Sequence, residues 1–268
     1  MANQSLVIVS GSKSAPGAPM LLKVAQDQGI DATLTYIDDP LTVSRINAAD
    51  TVLYRMSPQM RPKYIALLDV LVEEKRSQLA DYLAAFSKIN MYDALVSTDI
   101  PTPKSYTISR DQQVLEYPIV IKIPNGYQGL GVELIRNEND LATFKAEFSD
   151  EDEFLVQEYI EESKGSDKRL FIVGDTCVAA MKRTSQTDDF RANLHLGGAM
   201  ASYEPTAQEV AYALAATKVF NLDFAGIDII DSNRGPLVLE INPSPGFGIQ
   251  AVSTHNIAEE VVRQVVKA

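Results

Sequence analysis

Two apolar segments near the C-terminus, residues 224–230 (FAGIDII) and 237–242 (LVLEIN), flank the polar stretch DSNRG. Branched apolar residues bounded by turn formers read as the two strands of a hairpin. Side chains alternate along a strand, so Glu240 and Asn242 share a face, and a turn centred on Arg234 puts Asp228 directly across from Glu240. Two carboxylates facing each other destabilise a sheet unless something screens them. A solvated hairpin face would accomplish that, but LVLEIN is strongly apolar and argues for burial. A divalent cation removes the repulsion, and carboxylate and carbonyl oxygens suit magnesium. Asp228, Glu240 and Asn242 are therefore the candidate metal ligands.

With 268 residues and 46% apolar content, the chain can bury a sizeable core and exceeds one small domain, so two or three packed lobes are expected. A single cysteine, Cys177, excludes an internal disulfide, and its run TCVAAM reads as a buried thiol. Two histidines, His195 and His255, and one cysteine give no ligand set for structural zinc. The net charge of −12 argues against a nucleic-acid backbone as the main partner. No stretch approaches the roughly 20 apolar residues that cross a bilayer, and the run at residues 6–9 is too short for a signal peptide. A soluble, cytoplasmic protein without a membrane partner is expected.

Along the first eighty residues, strands (LVIVSG, DATLTYID, TVLYRM) alternate with helical patterns, the signature of a small α/β lobe. Residues 61–86 carry apolar side chains at helical spacing and read as one or two helices. Two prolines in residues 98–103 mark a lobe boundary. Beyond it, YPIVIKI and VELI flank the glycine-rich NGYQGLG, a hairpin with a mobile tip. A helix over 138–148 leads into the strand FLVQEYI. DKRLFIV and TCVAAMKR then close a hairpin through Gly174 and Asp175, and helices follow over 208–220 and 257–266.

Several positions suggest anion chemistry. Lys122 sits inside the apolar run IVIKI, where a cation without an anionic partner is costly. Gly126, Gly129 and Gly131 would let backbone amides approach a phosphate. In FLVQEYI, Gln157, Glu158 and Tyr159 follow the apolar start, and Glu158 could accept hydrogen bonds while nearby backbone reads an adenine edge. An edge strand emerging into solvent would look the same. Asp167 and Arg169 alternate on one strand, with Lys182 expected opposite Asp167, either as part of a site or as a surface network. Arg191 and Asn193 offer a cation and an amide for phosphoryl oxygens. Ser10, Ser12 and Ser244 lack an elbow motif and His195 an obvious partner, so a hydrolytic triad is a poor reading.

Taken in order, Lys88, Lys122, GYQGLGV, VQEYI, Asp167, FRANLHLGG, Asp228 and LEINPSPGF resemble the RimK-like branch of the ATP-grasp superfamily from about Lys88 to the C-terminus. The resemblance implies an α/β (α+β) ATP-grasp fold. Residues 1–87 would form a pre-grasp lobe and 88–268 the ATP-grasp domain, divided into a glycine-loop lid lobe (about 103–160) and a metal-binding lobe (about 161–268). It implies that Lys88 and Lys122 contact ATP phosphates beneath a lid holding Gly126, Gln128 and Gly129. Gln157, Glu158 and Tyr159 would lie at the adenine and Asp167 near the ribose. Arg191 and Asn193 would meet the reacting phosphates, with Arg191 and Lys122 acting in catalysis. Asp228, Glu240 and Asn242 would hold magnesium or manganese, two ions in all. Many relatives carry an acid where this chain has Ser87. The implied activity is an ATP-dependent ligase that phosphorylates a carboxylate and transfers the acyl group to an amine. Its partners would be ATP, an amino acid such as glutamate, and a carboxylate-bearing acceptor, in a homo-oligomer.

Overall fold

The computed structural model describes residues 4–110, 112–114, 116–126, 130–149, 152–192 and 197–267. The first strand, β1 (Ser5–Ser10), is apolar and buried almost throughout, as a strand covered on both faces must be. It lies between β2 (Asp31–Tyr36) and β3 (Thr51–Arg55) in a parallel three-stranded sheet, order β2-β1-β3, with crossovers through α1 (Gly17–Asp27) and α2 (Thr42–Ala48). The region expected to hold one or two helices forms two, α3 (Arg61–Leu68) and α4 (Glu73–Ala84). Then comes α5 (Lys88–Ser97), whose N-cap Ser87 accepts a hydrogen bond from the Asn90 amide. The serine cap satisfies a free amide of the helix's first turn.

A second sheet is antiparallel, with order β4-β7-β5-β6: β4 (Ser105–Ser109), β5 (Ile119–Lys122), β6 (Val132–Ile135) and β7 (Glu153–Glu158). Alternate residues Ile119 and Ile121 of β5 and Phe154 and Val156 of β7 pack with Leu141 and Phe144 from α6 (Glu138–Lys145). The third sheet, order β10-β9-β8-β11-β12, comprises β8 (Ser166–Val173), β9 (Thr176–Thr184), β10 (Ala199–Ser202), β11 (Phe224–Ser232) and β12 (Gly235–Asn242). One face of it is apolar: Leu170, Ile172, Ile227, Ile229 and Val238 pack on Ala213, Ala216 and Phe220 of the segment that begins with α7 (Ala207–Lys218). The period of two therefore turns Asp167, Arg169 and Asp228 to the opposite face, and the irregularity that leaves Leu239 as an extra residue between Val238 and Glu240 turns Glu240 there as well.

The last helix, α8 (Ile257–Lys267), returns to the start of the chain. Its Ile257, Val261, Val262 and Val265 share one core with Leu6, Ile8, Leu21 and Ala25 and with Phe171 and Val173 of β8. The parallel sheet and the five-stranded sheet are thereby joined by buried apolar surface. No helix among the described residues is long and apolar enough to cross a membrane.

Two bulges set the registers that matter. The β11–β12 turn has two central residues, Asn233 and Arg234, because Ser232 pairs with Gly235. That turn alone would put Leu239 opposite Asp228. An irregularity between Asp228 and Ile229 shifts the ladder by one, and Asp228 pairs with Glu240 as expected. The β8–β9 hairpin closes through Gly174 and Asp175, also as expected, and Gly174 has a φ of +55°. Here, however, the expectation that Lys182 faces Asp167 is corrected. A bulge between Phe171 and Ile172 makes Arg183 the partner of Asp167 and leaves Lys182 opposite Lys168.

Candidate functional site

The three sheets surround a cavity of about 850 Å³. From the five-stranded sheet, Asp167 and Arg169 (β8), Arg183 (β9), Asp228 (β11), and Glu240 and Asn242 (β12) line it. Arg183 donates to both oxygens of Asp167, at 2.6 and 2.7 Å, and its Nη2 lies 2.8 Å from Oδ2 of Asp228. Arg169 forms a second fork to Asp228, at 2.6 and 2.7 Å. Burial would raise the Asp228 carboxyl, but these two guanidiniums more than offset it and hold its pKa down at about 2. The opposed carboxylates Asp228 and Glu240 are thus screened by protein cations as well: Lys88 Nζ lies 3.3 Å from Glu240 Oε1 and donates to the Gly126 carbonyl at 3.0 Å.

The oxygen set still fits a divalent cation. Oδ1 of Asp228 accepts only the Arg169 bond among the described residues, so it keeps a lone-pair direction open. The Asn242 amide nitrogen is directed to the Gly226 carbonyl at 3.2 Å and to Asp228 at 3.4 Å, an assignment that leaves its carbonyl oxygen unengaged among the described residues. Glu240 is the most exposed of the three acids on this face, at 33% for its side chain.

The four-stranded sheet supplies Lys122, at the end of β5. It is 6% exposed and makes no hydrogen bond or ion pair among the described residues. Burial, reinforced by Lys88, lowers its pKa to about 8, against the pull of Glu240 and Asp228. The turn that follows is tight: a Cβ at Gly126 would lie 2.6 Å from the Leu130 carbonyl oxygen, so only glycine fits. Arg191 reaches across from the other sheet. It pairs with Asp189 at 2.8 Å and donates to the Val132 carbonyl at 3.2 Å, Val132 being the register partner of Lys122.

Gln157, Glu158 and Tyr159 also line the cavity, and each has a partner within the protein. Gln157 donates to Ser105 Oγ at 3.0 Å. Glu158 accepts from the Lys104 amide at 2.7 Å and pairs with Arg234, which together outweigh burial and keep its carboxyl below the ordinary range. Tyr159 meets Phe190 edge to face, with centroids 6.2 Å apart. Gln128, Gly129, Asn193 and His195 lie outside the described residues. Cys177 is half-buried and burial pushes its thiol up to about 11, which suits a packing residue and not a nucleophile.

Sequence reasoning missed two charged cavity residues, Arg183 and Arg55. A bulge, invisible in a single sequence, hid the first. The second lies within the strand TVLYRM, where nothing in the pattern sets it apart.

A cavity enclosed by three sheets, with Lys88 and Lys122 facing the acid pair of Asp228 and Glu240, is suited to an anionic ligand. The chain belongs to the RimK-like ATP-grasp domain family, which it matches over residues 81–265. It is 45% identical over 152 residues to the "Probable alpha-L-glutamate ligase 1" of Shewanella sp. (strain W3-18-1), covering 56% of this chain and 50% of that one. The match thus spans about half the length of the curated relative. The fold is similar to the crystal structure of D-cycloserine synthetase DcsG, with a TM-score of 0.74 at 16% identity over 98% of this chain and 99% of that one. It is also similar to D-alanine–D-alanine ligase from Bacillus anthracis, with a TM-score of 0.70 at 15% identity over 99% and 97% of the two chains.

Proposed function

We propose that this chain is an ATP-dependent carboxylate–amine ligase, with glutamate as the first amino acid to test. The observation that carries the reading is Lys122, a buried cation without a partner among the described residues, in one cavity with the oxygen set of Asp228, Glu240 and Asn242. A triphosphate would give Lys122 and Lys88 the anion that each lacks or shares. Held by Asp228, Glu240 and Asn242, magnesium would neutralise charge on the nucleotide phosphates.

In the proposed reaction a substrate carboxylate oxygen attacks the γ-phosphorus as the bond to ADP breaks, giving an acyl phosphate. The amine then attacks the acyl carbon and expels phosphate. Charge develops on oxygen in both steps, so Lys122, Lys88 and Arg191 act by position and electrostatics, and no protein nucleophile is required. Arg191, tied to both Asp189 and the Val132 carbonyl, would hold the β5–β6 hairpin over the reacting atoms and limit water. Gln157, Glu158 and Tyr159 would form the adenine end and Asp167 the ribose side, with Glu158 and Asp167 acting chiefly through the arginines they orient.

The test is ADP release by the purified protein with ATP and Mg²⁺ against single amino acids and candidate peptide acceptors, with product masses read from the same reactions. The proposal expects ADP and a product heavier by one amino-acid residue. Tight ATP binding with no ADP across the panel would favour a binding-only protein.

A further inference from the structure

The cavity holds a second cation for which the reaction as described has no use. Among the described residues that line it, each carboxylate already has a cation. Glu158 pairs with Arg234, Asp167 with Arg183, Asp228 with Arg169 and Arg183, and Glu240 with Lys88. Of the lining cations, only Lys122 and Arg55 lack a carboxylate. They belong to different sheets, Lys122 to the four-stranded one and Arg55 to the C-terminal end of β3 in the parallel one.

Arg55 is costly where it stands. A guanidinium carries five N–H donors. Here Nη2 donates to the Pro245 carbonyl at 2.9 Å, and Nη1 is shut off from solvent with no hydrogen-bond partner among the described residues. The Phe247 ring centroid is 5.0 Å from Cζ and that of Phe224 is 6.0 Å, which fixes the guanidinium plane but supplies no anion. Gly17, the first residue of α1, packs so closely that an added Cβ would lie 3.3 Å from Nη2. The first turn of α1 carries no acidic residue that could neutralise the site. In the parallel sheet, ligands bind beyond the carboxyl ends of the strands, which is where Arg55 lies.

We infer that Arg55 binds a carboxylate of the amino-acid substrate that is not the one activated, and so selects an amine that also bears a carboxylate. This rests on the ligase reading. The two unpaired cations then divide two anionic ligands between them: Lys122 meets nucleotide phosphate, and Arg55 anchors the amino acid from the opposite lobe so that its amine points back toward the reacting centre. A guanidinium fork fits a carboxylate with two parallel hydrogen bonds, which a carboxamide cannot reproduce.

Calorimetric titration of L-glutamate, L-isoglutamine and L-glutamine into the wild-type protein with Mg-AMPPNP present tests the assignment on the ligand side, without any variant. One of the two monoamides is expected to bind at least about tenfold more weakly than glutamate, the scale of a charge-assisted pair. In Arg55→Gln, glutamate should fall to the affinity of that monoamide and the discrimination should vanish, while AMPPNP binding and cooperative melting persist. Arg55→Lys, which keeps the charge and loses the fork, should recover only part of it. Wild-type protein that binds no glutamate or does not distinguish it from its amides, or an Arg55→Gln variant that still distinguishes them, overturns the inference. Glutamate bound through Arg55 with no ADP ever formed would instead count against the ligase reading and leave the carboxylate site standing.

Discussion

The Arg183 guanidinium is shared between two acids, with Nη2 2.8 Å from Oδ2 of Asp228 and a full fork on Asp167. All three residues are at most 9% exposed, so none can fall back on water. Removing one partner from such a set leaves a buried charge uncompensated, at about 3–5 kcal/mol. Arg183→Met should therefore lose roughly 3 kcal/mol of unfolding free energy. Urea denaturation checks this, and a midpoint equal to that of the wild type would show that Asp167 does not depend on Arg183.

Lys122 should couple nucleotide binding to protons. Its pKa is about 8 in the folded protein, against 10.5 for an ordinary lysine. Between those values the unfolded chain binds more protons than the folded one, so this group makes stability rise with pH across that window, and its cost is fully present below pH 8. A triphosphate near Lys122 favours the charged form and raises the pKa. Binding of Mg-AMPPNP near pH 8.5 should accordingly take up protons and weaken as pH rises. Titration calorimetry in two buffers of different ionisation enthalpy reads the uptake directly. Lys122→Met should bind more weakly and lose the buffer dependence, and equal heats for the wild type in both buffers would refute the link.

Much of the site could be read from period-two alternation alone. Glu240 and Asn242 share a face, and LVLEIN announces that the face is inside. The pairing of Asp228 with Glu240 came out as expected, yet through an unforeseen compensation, since the two-residue turn and the bulge beside Asp228 shift the register in opposite senses. The same kind of bulge beside Phe171 spoiled the neighbouring inference and exchanged Lys182 for Arg183. Single bulges leave no mark in one sequence. β4 and β10 were also missed. β10 is four exposed residues, and β4 is short with Tyr106 and Thr107 turned outward, so neither displays the apolar alternation that marks a strand. The core shared by α1 and α8 depends on contacts between residues more than two hundred positions apart, which no local pattern encodes.

On the far side of the five-stranded sheet, Glu209 closes a buried network. It accepts from Lys168 at 2.8 Å and Tyr203 at 3.0 Å, and completes a capping box with Thr206 at the start of α7. Burial would raise its carboxyl, but Lys168, the Thr206 amide and Tyr203 hold it below the ordinary value of 4.5. A depressed acid contributes stability that is present above its unfolded pKa and is lost as pH falls through the folded one. Glu209→Gln should destabilise by roughly 2–3 kcal/mol at neutral pH and flatten the stability curve below about pH 4.5. Denaturant melts at pH 3.5 and 7 measure both. A variant as stable as the wild type at pH 7 would show that the network carries no net stability.

The central claim is that the acid pair beside the β11–β12 bulge would hold the magnesium that phosphoryl transfer needs. Glu240→Gln addresses it most directly, because Glu240 is partly exposed and its loss leaves only Lys88 to adjust. ADP formation and product mass should be followed side by side for wild type and variant, with melting temperature as the control for folding. The account predicts an amide product and stoichiometric ADP from the wild type, and a variant that melts normally but turns over roughly a hundredfold or more slowly. Near-normal turnover by a folded Glu240→Gln protein would contradict it.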